Sequence, residues 1–184
     1  MRPEDRLAAV LTSHKAGRPQ KYVLFWGHRP ERDGRIGLGC FSQWWSAPIT
    51  IAETTYSTAE HWMMAEKARL FQDDAGLAKV LAARSPGAAK AAGRGILGFD
   101  EDRWTEARYD IVVTGTLAKF RQHADLAGVL QRTGKKILVE ASPTDRIWGI
   151  GLSANDEAAT DPSRWRGLNL LGFALMDVRD ALAS

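Results

Sequence analysis

An α+β fold, rich in helix with a small β component, is what the sequence predicts. Three observations predict it. β-like runs are few and short, confined to residues 21–27, 47–56 and 135–141. Helix-start signatures recur between them, at Ser57 or Thr58, at Ser85-Pro86 and at Asp100. The 184 residues, 45% hydrophobic and 26% charged, are the right length and composition for one soluble domain with its own core.

The elements follow in order. Residues 1–22 read as a helical or loose lead-in to a domain over 23–182. "KYVLFWG" (21–27) is the first strand, and the polar, Gly-rich "HRPERDGRIGLG" after it is a loop. Trp44 and Trp45 are adjacent, so on a strand they cannot both face inward. "APITIAETTY" (47–56) has the β-branched content of a second strand. A helix starts at Ser57 or Thr58 and is apolar on almost every side through Trp62, Met63, Met64 and Ala65. Ser85-Pro86 opens a helix ending near Gly93, and Asp100 caps a longer one through Phe120, weakened by Gly115. "ADLAGVLQRTG" is a short helix with Gly134 at its C-terminal turn. "KKILVEA" (135–141) is a buried strand. Residues 142–169 show little periodicity, as functional or disordered segments do. A final amphipathic helix rests on Leu171, Leu175, Val178 and Leu182.

Composition narrows the function classes. Net charge is +3, with 25 basic and 22 acidic residues, and the pI is about 9.2. That balance suits phosphate-bearing ligands but lacks the basic stripe of a dedicated nucleic-acid binder. Cys40 is the single cysteine, which excludes internal disulfides and points to a reducing cytoplasm. No apolar run approaches the ~18 residues of a membrane helix, and the N-terminus does not read as a secretory signal. The seven tryptophans serve either a core or a flat wall for stacking.

The helix "TAEHWMMAEK" (58–67) carries titratable groups in a buried-looking run. Glu60, Met64, Lys67 and Phe71 share one stripe, with Glu60 and Lys67 about 10 Å apart along the axis. Two readings stay open for each group. Ser57-x-x-Glu60 fits a capping box, His61 fits a hydrogen-bonded buried histidine, and Lys67 can extend to solvent. Alternatively, a desolvated Lys67 is a neutral amine able to attack a sugar C1, with a nearby carboxylate moving protons to a leaving nitrogen. Glu140 at a strand end and Asp145 before "IWGIG" are further acids, and Gly149 and Gly151 allow close backbone approach to a ligand. Phosphate-loop, dinucleotide, nucleophile-elbow and His-pair metal patterns are missing, so neither a cofactor nor a metal is implied.

"FSQWW" (41–45), "TAEHWMMAEK" (58–67), "RWTEARYDIV" (103–112), "LAKF" (117–120), "TGKKILVEASPTDRIWGIG" (133–151) and "GLNLLGFALMDVR" (167–179) resemble, in order, the motifs of the NADAR (YbiA-like) family. The resemblance implies a YbiA-like domain and an N-glycosidase. Members either cleave phosphoribosylated aminopyrimidine intermediates of riboflavin synthesis or remove ADP-ribose from guanine in nucleic acid. By matching position, Glu60 becomes the catalytic glutamate that protonates or positions the leaving group. Lys67 captures C1, Asp145 orients Lys67 or water, and Trp104 completes the catalytic set. Phe41, Trp44, His61, Trp148, Gly149 and Asn169 become substrate-binding, with Trp148 and Trp104 stacking on a base. Lys119 stays open between phosphate contact and structure, with structure favoured. Asp100, Glu101 and Asp102 before Arg103, and the long loop 28–39, depart from some members at positions that bear on the substrate.

The expected substrate is ADP-ribose or a phosphoribosyl amine, with ADP-ribosylated nucleic acid as a carrier among the expectations. A non-catalytic ADP-ribose-binding module and a partner-binding subunit are the readings from other classes. Oligomeric state is not readable.

Overall fold

The computed structural model describes residues 3–183. In chain order its elements are α1 (Pro3–Lys15), β1 (Tyr22–Phe25), β2 (Ile49–Ile51), β3 (Thr54–Tyr56), α2 (Ala59–Leu70), α3 (Asp74–Leu81) and α4 (Pro86–Arg94), then α5 (Glu101–Gln122), α6 (Ala124–Gln131), β4 (Ile137–Glu140) and α7 (Leu170–Leu182). Short 3-10 turns lie at Leu38–Phe41, Glu157–Thr160 and Pro162–Arg164. The α+β, helix-rich expectation holds. Among the described residues no helix is long and apolar enough to cross a membrane. Two compact units are distinguished, one of residues 42–124 and one of residues 3–41 with 125–183.

In the unit of residues 42–124, α2 packs against α3, α4 and α5. That surrounds it, and explains why its apolar residues cover almost every face. Close packing requires two glycines. A Cβ on Gly115 would lie 2.2 Å from Trp62 Cδ1, and one on Gly93 would lie 2.0 Å from Met64 Sδ. The glycine that weakens α5 by propensity therefore admits the Trp62 indole, whose Nε1 donates to the Ile111 carbonyl at 2.8 Å.

One expectation is corrected here, and one element is new. Residues 47–56 form a hairpin rather than one strand, with Ile49 paired to Tyr56 and Ile51 to Thr54. Its turn places Ala52 and Glu53 at φ 47 and 65, left-handed conformations for which these residues give no sequence cue. α3 was not anticipated at all. Asp73 caps it by accepting from the Gly76 amide at 2.8 Å, and also accepts from Leu97 at 2.9 Å.

In the other unit, β1 and β4 pair in parallel from Tyr22↔Ile137 to Phe25↔Glu140. Leu138 and Val139 are fully buried, as the continuous apolar run of β4 requires. α7 packs on β4 closely enough that a Cβ on Gly172 would meet the Leu138 carbonyl at 2.2 Å. At the head of α7, Asn169 adopts φ 55. Its side-chain oxygen accepts from the Glu140 amide at 3.0 Å, and its Nδ2 donates to the Leu138 carbonyl at 2.9 Å. Residues 3–15, expected to be helical or loose, form a helix joined to α7 by ion pairs from Arg6 to Asp177 and Asp180.

Candidate active site

The helix α2 begins at Thr58, not Ser57. Thr58 is the N-cap, and its Oγ1 accepts from the His61 amide at 3.4 Å. A Ser57–Glu60 capping box is therefore not formed, because with Thr58 as cap the third helical position belongs to His61. Glu60 is 2% exposed, and its own amide donates to the Gln43 carbonyl at 3.0 Å. The local task that competed for this carboxylate is carried out by Thr58.

His61 is also 2% exposed, and protein groups occupy both its ring nitrogens. Nε2 is 3.2 Å from the Ala83 carbonyl, so it carries the proton in the neutral ring, and Nδ1 accepts from the Thr58 hydroxyl at 2.8 Å. Burial pushes the imidazole below its usual range, opposed by the Ala83 bond. This is the hydrogen-bonded buried histidine that the sequence left open.

Two turns along, Lys67 Nζ donates to the Gly93 carbonyl at 3.0 Å. It lies 4.1 Å from the centroid of the Phe99 ring and 5.5 Å from that of Trp104. Desolvation lowers the Lys67 pKa, with the Glu101 charge pulling the other way. The structure thus brings Lys67 and Trp104 together and adds Phe99, which the sequence reading missed. A signal existed: Phe99 precedes the Asp100 cap and Trp104 is the fourth helical residue, the spacing of a hydrophobic staple. Trp44 is half-buried, with Lys90 Nζ 5.9 Å from its ring centroid. Lys119 is fully buried and donates to the Ser42 carbonyl at 2.8 Å, as its structural reading expects.

The remaining candidates belong to the unit of residues 3–41 and 125–183. Asp145 Oδ1 accepts from the amides of Ile147 at 2.8 Å and Trp148 at 2.7 Å, capping its own turn. Trp148 is half-buried. Gly149 permits a close approach, but to the protein itself, since a Cβ there would lie 2.8 Å from the Glu140 carbonyl. Asn169, expected at a pocket, is 0% exposed with its amide committed to β4. Phe41, also expected there, is 0% exposed and packs edge-on against Phe25 at 5.4 Å. Both are core residues by burial.

Chemically, α2 presents a buried carboxylate and, about 10 Å further along its axis, an amine whose protonation is disfavoured. Such a pair can deliver a proton and act as a nucleophile.

The sequence matches a known family along most of its length. The NADAR domain matches residues 24–183. "N-glycosidase R617" of Acanthamoeba polyphaga mimivirus is 38% identical over 167 residues, 87% of this chain and 95% of the viral protein. "N-glycosidase Npun_R5314" of Nostoc punctiforme is 36% identical over 78% of this chain and 85% of its own. The NMR structure of the E. coli protein YbiA superposes with a TM-score of 0.71 at 27% identity, covering 90% of this chain and 87% of that one. By sequence along nearly all its length and by fold, the chain belongs to the NADAR family.

Proposed function

We propose that this protein removes ADP-ribose from guanine bases of nucleic acid in the cytoplasm, with Glu60 and Lys67 as the catalytic pair. That it is a hydrolase of N-glycosyl bonds follows from its family and from relatives of that name at 30–38% identity. The finer reading is carried by one observation. Lys67 sits between Phe99, Trp104 and the Gly93 carbonyl with its ammonium form disfavoured, on the same helix as the buried Glu60.

In the proposed reaction the neutral Lys67 amine bonds to ribose C1 while the bond from C1 to the guanine exocyclic nitrogen breaks. Glu60, in its protonated form, delivers the proton to that departing nitrogen. A proton passes from Nζ to the ring oxygen as the C1–O bond opens, leaving a protonated Schiff base between Lys67 and C1. Water then adds at C1, its proton returns to Glu60, and the C1–Nζ bond breaks to release the sugar and the Lys67 amine. Gly93 fixes the Nζ, and His61 with Thr58 fixes the turn that holds Glu60. Trp44, in the same unit as the pair, keeps its substrate-contact role in this proposal.

A guanine-ADP-ribosylated oligonucleotide is the first substrate to use, with released ADP-ribose measured for the wild type and Glu60→Gln. Loss of several orders of magnitude in rate with oligonucleotide affinity kept would support the assignment. Full turnover by Glu60→Gln would remove Glu60 from the mechanism. No release by the folded wild type would move the substrate to small phosphoribosylated amines. Borohydride added during turnover separates covalent from direct hydrolysis: a mass adduct on Lys67 is expected, and its absence at full turnover favours direct attack by water.

A further inference from the structure

We propose that Arg146 and Arg166 form a clamp for the phosphate oxygens of a nucleotide ligand. The two arginines come from separate loops that the backbone holds side by side. The Arg166 amide donates to the Ile150 carbonyl at 2.9 Å, Leu168 to Arg146 at 3.0 Å and Asn169 to Gly149 at 3.2 Å. Contact between the loops is so close that a Cβ on Gly167 would lie 2.3 Å from the Gly149 carbonyl and 2.7 Å from Arg146 Cα. Only glycine fits there, and the pairing of the loops is correspondingly rigid.

Gly151 reports where the two side chains start. Arg146 Cγ and Arg166 Cβ are each 3.1 Å from the point that a Cβ on Gly151 would occupy, so they start within about twice that distance of each other. Both residues are exposed, and among the described residues neither joins an ion pair. The neighbouring acid, Asp145, turns Oδ1 to the amides of Ile147 and Trp148 instead. Two like charges held together on a rigid frame repel each other unless an anion neutralises them.

The chemistry of the occupant follows from the guanidinium. Its planar fork of N–H donors matches phosphate oxygens, and two forks side by side match a diphosphate or successive phosphodiesters. Ile147 and Leu168, 40% and 44% exposed, stand next to the clamp because the Leu168 amide bonds to Arg146. They offer apolar surface to the sugar or base of the same ligand. The choice of ADP-ribose as a ligand rests on the N-glycosidase reading above, whereas phosphate binding by the clamp does not.

The test is calorimetric titration with inorganic pyrophosphate and with ADP-ribose, comparing wild type, R146A/R166A and R146K/R166K. Saturable binding of both ligands by the wild type is expected, weakened at least about tenfold in the alanine pair and partly restored by lysine, which keeps charge without the fork. Equal affinity in wild type and R146A/R166A, or no pyrophosphate binding by the wild type, overturns the clamp. An unmodified single-stranded oligonucleotide distinguishes the two sources of phosphate. A shallower salt dependence in the alanine pair assigns the clamp to the nucleic-acid backbone, and an unchanged one assigns it to the diphosphate. Glu60→Gln should keep pyrophosphate binding, so a failed glycosidase reading and a failed clamp give different results.

Discussion

Lys67 Nζ and the Gly93 carbonyl are 3.0 Å apart, and the same glycine makes room for Met64 one turn earlier on α2. One residue of α4 thus sets both the packing of α2 and the position of its amine. Gly93→Ala would put a methyl group 2.0 Å from Met64 Sδ and 2.9 Å from its Cγ. Overpacking of this kind costs about 1–3 kcal/mol, which urea denaturation would show as a lower midpoint. Turnover should fall as well, because the overpacking falls on the residue whose carbonyl holds Lys67.

The rate should depend on the Lys67 proton. Burial disfavours the ammonium while the Glu101 carboxylate favours it. If the neutral amine reacts, kcat/KM rises with pH along a limb centred below the ordinary lysine value of about 10.4. Glu101→Gln removes the opposing charge and should shift that limb to lower pH. A shift to higher pH, or none, would show that Lys67 does not control the limb.

His61 predicts an acid-sensitive fold. Its folded pKa lies below its unfolded one, so the unfolded chain binds more protons in the interval between them. Stability is full above about pH 6.5 and declines as the pH falls toward the folded value. Unfolding free energy measured at about pH 7.5 and about pH 5 should drop in the wild type, and drop less in His61→Asn. An equal drop in both proteins assigns the acid sensitivity to other groups.

Asn169 should behave as a structural residue. Replacing it with Ala removes two side-chain bonds and leaves the Leu138 carbonyl and the Glu140 amide without them. A loss of about 2–4 kcal/mol is expected. Unchanged stability with weakened substrate binding would return it to the pocket.

The sequence made the capped helices legible because their signals are local. Ser85-Pro86 and Asp100 start α4 and α5 where expected. It did not reveal the β2–β3 turn, whose left-handed Ala52 and Glu53 replace the usual glycine or asparagine. At the site, the shared stripe of Glu60 and Lys67 on α2 was readable from spacing, but the choice between Ser57 and Thr58 as cap was not. That choice depends on backbone angles, and with it went the purpose of Glu60. Phe41 and Asn169 show the converse limit: a motif places a residue in a family, while burial determines whether its side chain can reach a ligand.

Asn169 has one more consequence. A strand beside only one neighbour exposes a row of backbone donors and acceptors to which another chain could add. On β4 the Asn169 amide takes the place of a peptide unit from a third strand, covering the Leu138 carbonyl and the Glu140 amide, and the Ile150 amide covers the Glu140 carbonyl at 2.9 Å. This stretch of the strand is thereby closed to edge-to-edge association, a safeguard against aggregation supplied by one side chain and one loop amide.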